Sequence, residues 1–389
     1  MLPDLQDIVD EVAQLLGAPA TLEDRDFNLV AFGAHGVEID EVRQQSILRR
    51  KASAEVRAWF EQFGIATSDT PVRTPASREL GVLGRLCIPV RWNGVTYGYL
   101  WLLDDRNEID ETQLPAAMVL ADRAAVLMAQ QARARQDLAL RLGDLLSPYP
   151  EVVERAAAEL DDLGVLSRGV PVVVVVLGTT GSTGRKTTPI NLWGLPRSVL
   201  AAPGEDHTTL LVPLSTSGDL GPARKIARRA WELYAEQLDP AQRTCLVAGV
   251  GSPRPDLAQA RASYQQARLA VRVGQVVPEH RPVAEWAALG VHRLLACGPD
   301  QALREAVLGT AVRRLLTAAD PELRRTAEVY LAEAGNAQRT AAALGIHRQT
   351  LYYRLGRIEK ITGLCLSRGQ DRLELHLGLT MARVLDPEP

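Results

Sequence analysis

The most restrictive feature of this sequence is a pair of glycines, Gly335 and Gly345, that bracket a segment of only nine residues. Gly335 stands where a glycine commonly ends a helix, and Asn336 directly after it is a preferred helix N-cap. The helix that Asn336 begins must be very short, because Gly345 offers the positive φ of a tight turn. A further helix is predicted from Arg348 onwards. The spacing therefore predicts a helix-turn-helix over residues 336–361.

The apolar side chains of this segment decide which of its faces is left for a ligand. Ile346, Leu351, Leu355 and Ile358 recur at helical spacing, so we expect them to pack the second helix onto a core. The N-terminal tip of that helix is then left facing outward. In helix-turn-helix proteins this tip enters the major groove of DNA. Arg and Gln suit bidentate contacts with guanine and adenine edges. The residues predicted to face the bases are His347, Arg348, Gln349, Tyr352 and Tyr353, and those predicted to contact phosphates are Arg339, Thr340, Arg354, Arg357 and Lys360.

The distribution of charge favours a local DNA surface. The chain has 44 Lys and Arg against 47 Asp and Glu, a net charge of −3, which excludes a protein that coats nucleic acid through bulk charge. Between residues 336 and 360, five basic side chains stand against the single acid Glu359. Such a local excess of positive charge is what DNA binding requires. On spacing alone, the alternative is an Ala-rich helix pair in an ordinary bundle.

The same region resembles a known protein family. The resemblance rests on Tyr330-Leu331, Gly335-Asn336, Thr340-Ala341, Leu344 to Leu355, Arg357-Ile358-Glu359, Thr362-Gly363-Leu364 and Asp371 to Leu375. It closely resembles the C-terminal helix-turn-helix of the PucR/CdaR family of bacterial transcription regulators, including a final helix at 371–385. Gln349 stands where that family usually has Asn, and Tyr352 stands where it usually has Arg. The departure at Gln349 bears on which base is recognised. The departure at Tyr352 bears on one contact with the DNA backbone. The resemblance implies regulation of catabolic or metabolic genes, often in response to a small metabolite.

Residues 151–280 have the pattern of an α/β layer. The run from Val170 to Leu177 is apolar at every position, as in a buried central strand. A β…ββαβα order favours a ferredoxin-like or nucleotidyl-cyclase-like layer on an antiparallel or mixed sheet. The stretch from Val247 to Ala270 resembles the degenerate GGDEF-type domain of the same regulators. Further strands are predicted at 208–214 and 244–250, and helices at 219–238 and 256–273.

The acids of this layer bear on whether it is an enzyme. A cyclase needs carboxylates at the end of its first strand to hold divalent metal against substrate phosphates. Here that strand runs into Gly178–Ser182, which contains no carboxylate, and we interpret Glu205 and Asp206 as solvated turn residues. The glycines at 178, 181 and 184 lack the spacing of a phosphate-binding loop, so we predict a flexible loop there. We predict no catalytic residue, no metal site and no cofactor.

Residues 1–130 have the pattern of a small α/β module. Asn93-Gly94 lies between two β-favouring runs, which is the strongest short-range hairpin signal. The phrase from Ile88 to Leu100, followed by a long helix from about Leu114 to Leu146, resembles a GAF sensor domain. A PAS-like module would show almost the same pattern and stays an alternative. The candidates to line an effector pocket are Trp59, Trp92, Tyr97 and Trp101, with ordinary core packing as the alternative.

The cysteines and the N-terminal residues indicate the compartment. The four cysteines, Cys87, Cys245, Cys297 and Cys365, are far apart in sequence, so neither a zinc knuckle nor a CxxC motif is present. Their number does not suggest a disulfide framework. The first residues are acidic and amphipathic, with no signal-like or membrane-spanning run. We expect a soluble cytoplasmic protein with no membrane partner.

These features together predict a multidomain α+β protein. We divide it into a GAF-like sensor at 1–130, a linker helix at 131–150, a degenerate GGDEF-like domain at 151–280 and a helical domain with the helix-turn-helix at 281–389. The predicted function is sequence-specific regulation of metabolic genes on a double-stranded operator, by a homodimer or higher homo-oligomer that responds to a small effector. One alternative is a cyclic-dinucleotide synthase with a DNA-binding tail. The other is a structural interaction protein whose basic helix is only surface.

Overall fold

The computed structural model describes residues 4–33, 42, 44, 52–179, 195–196, 198–204, 206–236, 238–318 and 320–385. The chain divides into two compact units, Met1–Gly143 with Pro189–Ala201 and Asp144–Thr188 with Ala202–Pro389. Two five-stranded sheets and a helical C-terminal part confirm the multidomain α+β class. None of the helices in the described part is long and apolar enough to cross a membrane.

The first unit contains α1 Leu5–Leu16, β1 Ala20–Asp24, β2 Leu29–Phe32, α2 Ala54–Glu61, β3 Val72–Thr74, β4 Arg85–Trp92, β5 Val95–Leu103 and α3 Leu114–Leu145. Its strands form a sheet in the order β2-β1-β5-β4-β3, with antiparallel pairs. Local chemistry sets both ends of α1. Asp4 forms a capping box with Asp7, and Gly17 ends the helix in the left-handed region.

The β4–β5 hairpin turns at Asn93-Gly94, as predicted. Both residues have positive φ, 50° and 78°, which suits a two-residue turn between twisted strands. Close to the turn the register between the two strands shifts. Thr96 pairs with Arg91, and Gly98 pairs with the adjacent residue Val90. Tyr97 is therefore the extra residue of a β-bulge. The alternation of side chains along β5 reverses at that point.

The two faces of this sheet have different partners. One face packs against α1 and the first half of α3 through an aliphatic core that includes Ile8, Leu100 and Ala121. The other face carries an aromatic cluster, in which Trp101 lies against Phe60 with ring centroids 4.4 Å apart. We call this second side the aromatic face. Both faces of the sheet are thus buried within the first unit.

The second unit contains most of a mixed sheet. Its elements are α4 Pro150–Asp162, β6 Val172–Gly178, β7 Leu200–Pro203, β8 His207–Pro213, α5 Gly221–Ala235, α6 Pro240–Cys245, β9 Val247–Val250, α7 Ala260–Val276 and β10 Val283–Glu285. The strand order is β10-β9-β6-β8-β7, and β10 runs parallel to β9. Every residue of β6 is buried, as its continuous apolar run predicts.

Two details of this layer correct the prediction. Thr244 and Cys245 lie in the short helix α6 and not in a strand, because Asp239 begins that helix with a capping box and Pro240 occupies its first position. The strand starts only at Val247. The sequence also does not predict β10, since a strand of three residues is too short to show alternation.

The helical part follows within the same unit. Its helices are α8 Asp300–Val307, α9 Thr310–Leu316, α10 Pro321–Ala332, α11 Ala337–Leu344, α12 Arg348–Thr362 and α13 Gly369–Leu385. They share one apolar core, to which all six helices contribute buried or partly buried side chains. α9 and α10 both pack against α12. The predicted final helix is present and begins two residues earlier than expected.

Candidate nucleic-acid interface

The turn between α11 and α12 is formed by the residues that the sequence singles out. Asn336 caps α11 by accepting hydrogen bonds from the backbone N–H groups of Gln338 and Arg339, both at 3.0 Å. Gly345 ends α11 with φ 65°, a conformation that disfavours any residue with a Cβ. Two residues later His347 caps α12, and its Nδ1 accepts from the backbone N–H of Gln349 at 3.3 Å. The imidazole is therefore part of the helix start.

The inner and outer faces of α12 separate as predicted. Leu351, Leu355 and Ile358 are buried in the core of the helical part. On the outside, His347, Arg348, Gln349 and Lys360 are exposed, and the two tyrosines, Tyr352 and Tyr353, are 57% and 66% exposed. Tyrosine is enriched at interfaces, where its ring packs and its hydroxyl stays hydrogen-bonded, so this exposed pair marks a candidate contact surface. Arg348 makes no ion pair with any residue that the structure describes.

Three arginines predicted to contact phosphates are held by carboxylates on or beside α10. Arg339 lies 2.9 Å from Glu333, Arg354 lies 3.0 Å from Glu322, and Arg357 lies 2.9 Å from Asp320. The last two pairs tie α12 to the start of α10. A phosphate contact by any of the three arginines would compete with these carboxylates. The charge of residues 336–360 does not reveal these pairs, because all three acids precede that stretch of the sequence.

Thr340 requires a correction. The sequence places it at a phosphate, but its side chain is fully buried, and its hydroxyl donates to the carbonyl of Asn336 at 2.7 Å. This position faces the core next to Ala341, where the two helices of the motif cross. Thr340 therefore supports the first turn of α11 and presents no donor to DNA.

The four aromatic residues proposed for an effector pocket do not come together. Trp101 is 1% exposed inside the aromatic cluster, and Trp59 lies at the edge of that cluster against Phe63, with ring centroids 5.2 Å apart. The bulge moves Tyr97 to the opposite, aliphatic face of the sheet. Trp92 is 39% exposed at the end of the hairpin. A single pocket lined by all four is therefore ruled out by the reversal of alternation at Tyr97 and by the position of Trp92.

The middle layer places an unexpected cluster at the end of its central strands. His207, the first residue of β8, lies with Nε2 2.9 Å from the hydroxyl of Tyr264, and Arg268 lies over the Tyr264 ring. Burial lowers the pKa of His207, and the positive charge of Arg268 adds to that effect. Residues 180–184 of the predicted loop and Glu205 lie outside the described residues. Within the described part, no group of three or more His, Cys, Asp or Glu residues could hold a metal ion.

Comparison with known proteins agrees with these observations. Residues 323–381 match the family model of the PucR C-terminal helix-turn-helix domain, and residues 147–273 match that of the GGDEF-like domain. The chain is 22% identical to the proline-responsive transcriptional activator PutR of Bacillus subtilis, over 98% of this chain and 97% of that protein. It is 26% identical to the carbohydrate diacid regulator of Escherichia coli, over 77% of this chain and 80% of that protein.

A shorter match shows higher local identity. Over 59 residues, 14% of this chain and 13% of the other, the chain is 49% identical to the transcriptional activator PmfR of Paenarthrobacter nicotinovorans. An outward recognition helix on a shared helical core, joined to a GGDEF-like layer, defines a DNA-binding transcriptional regulator. The resemblance to PucR/CdaR-type regulators that was inferred from the sequence is confirmed.

Proposed function

We propose that this regulator recognises its operator through the tip of α12, with Arg348 and Gln349 on base edges and Tyr352, Tyr353 and Lys360 beside them. The observation that carries this proposal is the contrast within one helix. Arg348 and Gln349 project from the exposed tip, whereas Arg354 and Arg357 are held against α10 by Glu322 and Asp320. The tip of α12 therefore recognises the base sequence of the operator. The main role of the two paired arginines is to fix the orientation of α12 relative to α10.

The test is binding of the full chain to an operator selected from genomic DNA, compared with random DNA at the same salt concentration. We expect Arg348→Ala and Gln349→Ala each to lower the preference for the operator by about 1–3 kcal/mol. Arg368→Ala removes another exposed arginine, which lies outside α11 and α12, and should leave that preference unchanged. Wild-type discrimination by both tip variants would reject the assignment of α12.

The effector is proposed to be a small metabolite that binds the first unit. The support comes from two relatives named as proline-responsive and as a carbohydrate diacid regulator, and the similarity to PutR extends over the first unit. The aromatic face adds a structural reason, because it buries the charged side chains of Glu23 and Arg85. Buried charges are uncommon in a plain apolar core. A thermal-shift screen of amino acids and sugar acids, repeated with Glu23→Gln, tests this placement.

The middle layer is proposed to transmit signals without catalysis, in a cytoplasmic protein. The synthase alternative requires carboxylates at the end of β6, where the sequence has Gly178 and Thr179. An assay with nucleoside triphosphates and Mg²⁺ or Mn²⁺ distinguishes a cyclic-dinucleotide synthase from a domain without catalysis. Formation of a cyclic dinucleotide by the purified chain would establish the enzyme. The interaction-protein alternative fails if the chain binds an operator selectively.

A further inference from the structure

An arginine of the last helix reaches the turn at which the helix-turn-helix begins. Arg372 belongs to the first turn of α13, and its Nη1 lies over Gly335, where an added Cβ would come within 2.5 Å of that nitrogen. The hydroxyl of Tyr330, near the end of α10, lies 3.4 Å from the position of the same Cβ. Gly335 has φ 79°, so a glycine suits this position both for its backbone and for the space that the guanidinium occupies.

The charge of Arg372 is not neutralised by a neighbour. Unlike the three arginines of α11 and α12 that carboxylates hold, Arg372 forms no ion pair with any residue that the structure describes. Glu333, two residues before Gly335, is held by Arg339 at 2.9 Å. The side chain of Arg372 is partly exposed to solvent. A guanidinium in this state can donate charge-assisted, often paired hydrogen bonds to the oxygens of a phosphate.

The place of Arg372 in the motif indicates which part of DNA it meets. Gly335 directly precedes Asn336, the N-cap of α11. In helix-turn-helix proteins the first helix of the motif crosses the DNA backbone, while the second enters the major groove. Helix N-termini are among the groups that contact phosphates in such complexes, because their first N–H groups point outward and the helix dipole is positive there. Arg372 adds a full positive charge beside this end of α11.

We propose that Arg372 binds a phosphate of the operator backbone at the start of α11, so that the last helix of the chain belongs to the DNA interface. The interface then extends beyond residues 336–361, the range that the sequence predicts. A phosphate is the same at every base pair, so this contact positions the motif and does not select the sequence. The inference rests on DNA binding by the helix-turn-helix, but not on the assignment of Arg348 and Gln349 to base edges.

The first test is the salt dependence of DNA binding by the full chain, on the operator and on random DNA. Arg372→Gln should weaken binding to both DNAs alike, by about tenfold at low salt, and should reduce the slope of log K against log salt concentration by about one. Arg383→Gln is the matched control, because it removes an exposed arginine of the same helix about 16 Å further along its axis. The control should leave the slope unchanged.

The second test locates the contact on the DNA. A methylphosphonate replaces one charged phosphate of the operator at a time with an uncharged group. At the contacted phosphate, Arg372→Gln and the methylphosphonate should together weaken binding by less than the product of their separate effects, because each removes the same interaction. Such coupling at a single phosphate of each half-site supports the proposal. Effects that multiply at every phosphate overturn it.

A purely structural role of Arg372 would give a different result. A cation near the end of α10 would stabilise that helix, and Arg372→Gln would then lower the free energy of unfolding in urea without changing the salt slope. The proposal is overturned by that outcome, or by an equal loss of slope in Arg383→Gln. Arg348→Ala, measured in the same assay, should lower only the preference for the operator. A failure of the tip assignment is therefore distinguishable from a failure at Arg372.

Discussion

Arg272 holds Asp300 through two parallel hydrogen bonds, Nη1 to Oδ1 at 2.8 Å and Nη2 to Oδ2 at 2.7 Å. Arg272 lies on α7 of the GGDEF-like layer, and Asp300 begins α8. Nη2 also donates to the carbonyl of Val384 near the end of α13, at 3.1 Å. The hydrogen bonds from Arg272 lower the pKa of the Asp300 carboxyl. One guanidinium thus joins the α/β layer to both the first and the last helix of the helical part.

Loss of this connection should be visible as a small loss of stability. Both side chains are about one-third exposed, so the pair contributes on the order of 1 kcal/mol or less. For a unit of this size, Arg272→Ala should lower the melting temperature by about 2–4 °C at most. Arg228→Ala, an exposed arginine on α5, is the control and should leave the melting temperature unchanged. Equal effects of the two variants would show that the bridge is not specific.

Lys360 and Arg354 should differ in how they affect DNA binding. Lys360 is exposed and has no ion-pair partner among the described residues, so Lys360→Ala should reduce the slope of log K against log salt concentration by about one. Arg354 is only 21% exposed and also lies 3.3 Å from the hydroxyl of Thr326. Arg354→Ala should therefore mainly lower the free energy of unfolding.

A double-mutant cycle with Glu322 checks the role of Arg354. The coupling between Arg354→Ala and Glu322→Ala in urea unfolding measures the pair itself, and we expect a few tenths of a kcal/mol up to about 1 kcal/mol. Arg354 would instead be a phosphate ligand if the coupling were zero and Arg354→Ala reduced the slope of log K against log salt concentration by about one.

Two glycines of the motif should respond oppositely to alanine. Gly345 has φ 65°, and an added Cβ would meet no atom, so Gly345→Ala should cost only the backbone penalty of about 1–2 kcal/mol. Gly356 lies inside α12, again with open space around an added Cβ, so Gly356→Ala should stabilise the chain by about 0.5–1 kcal/mol. Urea unfolding of both variants measures the difference. Two changes of the same sign would contradict the left-handed turn.

Stability should fall on mild acidification. Burial lowers the pKa of both His207 and His292 below the ordinary value of about 6.5, so the unfolded chain binds protons at a higher pH than the folded chain does. The contribution of the two neutral imidazoles is therefore present above about pH 6.5 and is lost as the pH falls below it. The charged or titratable groups around them are Asp206, Tyr264 and Arg268 for His207, and Glu279, His280 and Arg383 for His292.

Variants identify which histidines are responsible. The double variant His207→Gln/His292→Gln should lose less stability than the wild type between about pH 7 and pH 5.5. His376→Gln changes an exposed histidine on α13 and should behave like the wild type. The measurement is the free energy of unfolding in urea at each pH. An unchanged pH dependence in the double variant would assign the effect to other groups.

The oligomeric state should depend on the first half of the chain. A single recognition helix discriminates few base pairs, and pairing of two motifs places half-sites about 34–36 Å apart, or at a multiple of that distance. α3 leaves Val119 and Leu140 exposed, 59% and 65%, and offers a surface for a second copy. We expect a homodimer in sedimentation, and a monomer with weak operator binding after removal of residues 1–146. A truncated protein that stays dimeric and keeps full affinity would contradict this.

The sequence by itself determined the elements whose signals are local. Asn93-Gly94 specifies its hairpin because both turn residues tolerate positive φ. Asn336 and Gly345 likewise delimit α11, and the apolar spacing of α12 predicts its buried face, since a cap, a turn and a helical period each depend on residues a few positions apart.

Only the tertiary structure decided which side chains meet. One bulge residue moves Tyr97 away from Trp101, although both lie on the same strand. Arg354 bonds to an acid 32 residues away, and Arg372 of the last helix lies over Gly335. These arrangements depend on the register of neighbouring strands and on the angles at which helices cross. Packing of the whole core sets both, so no short stretch of sequence encodes them.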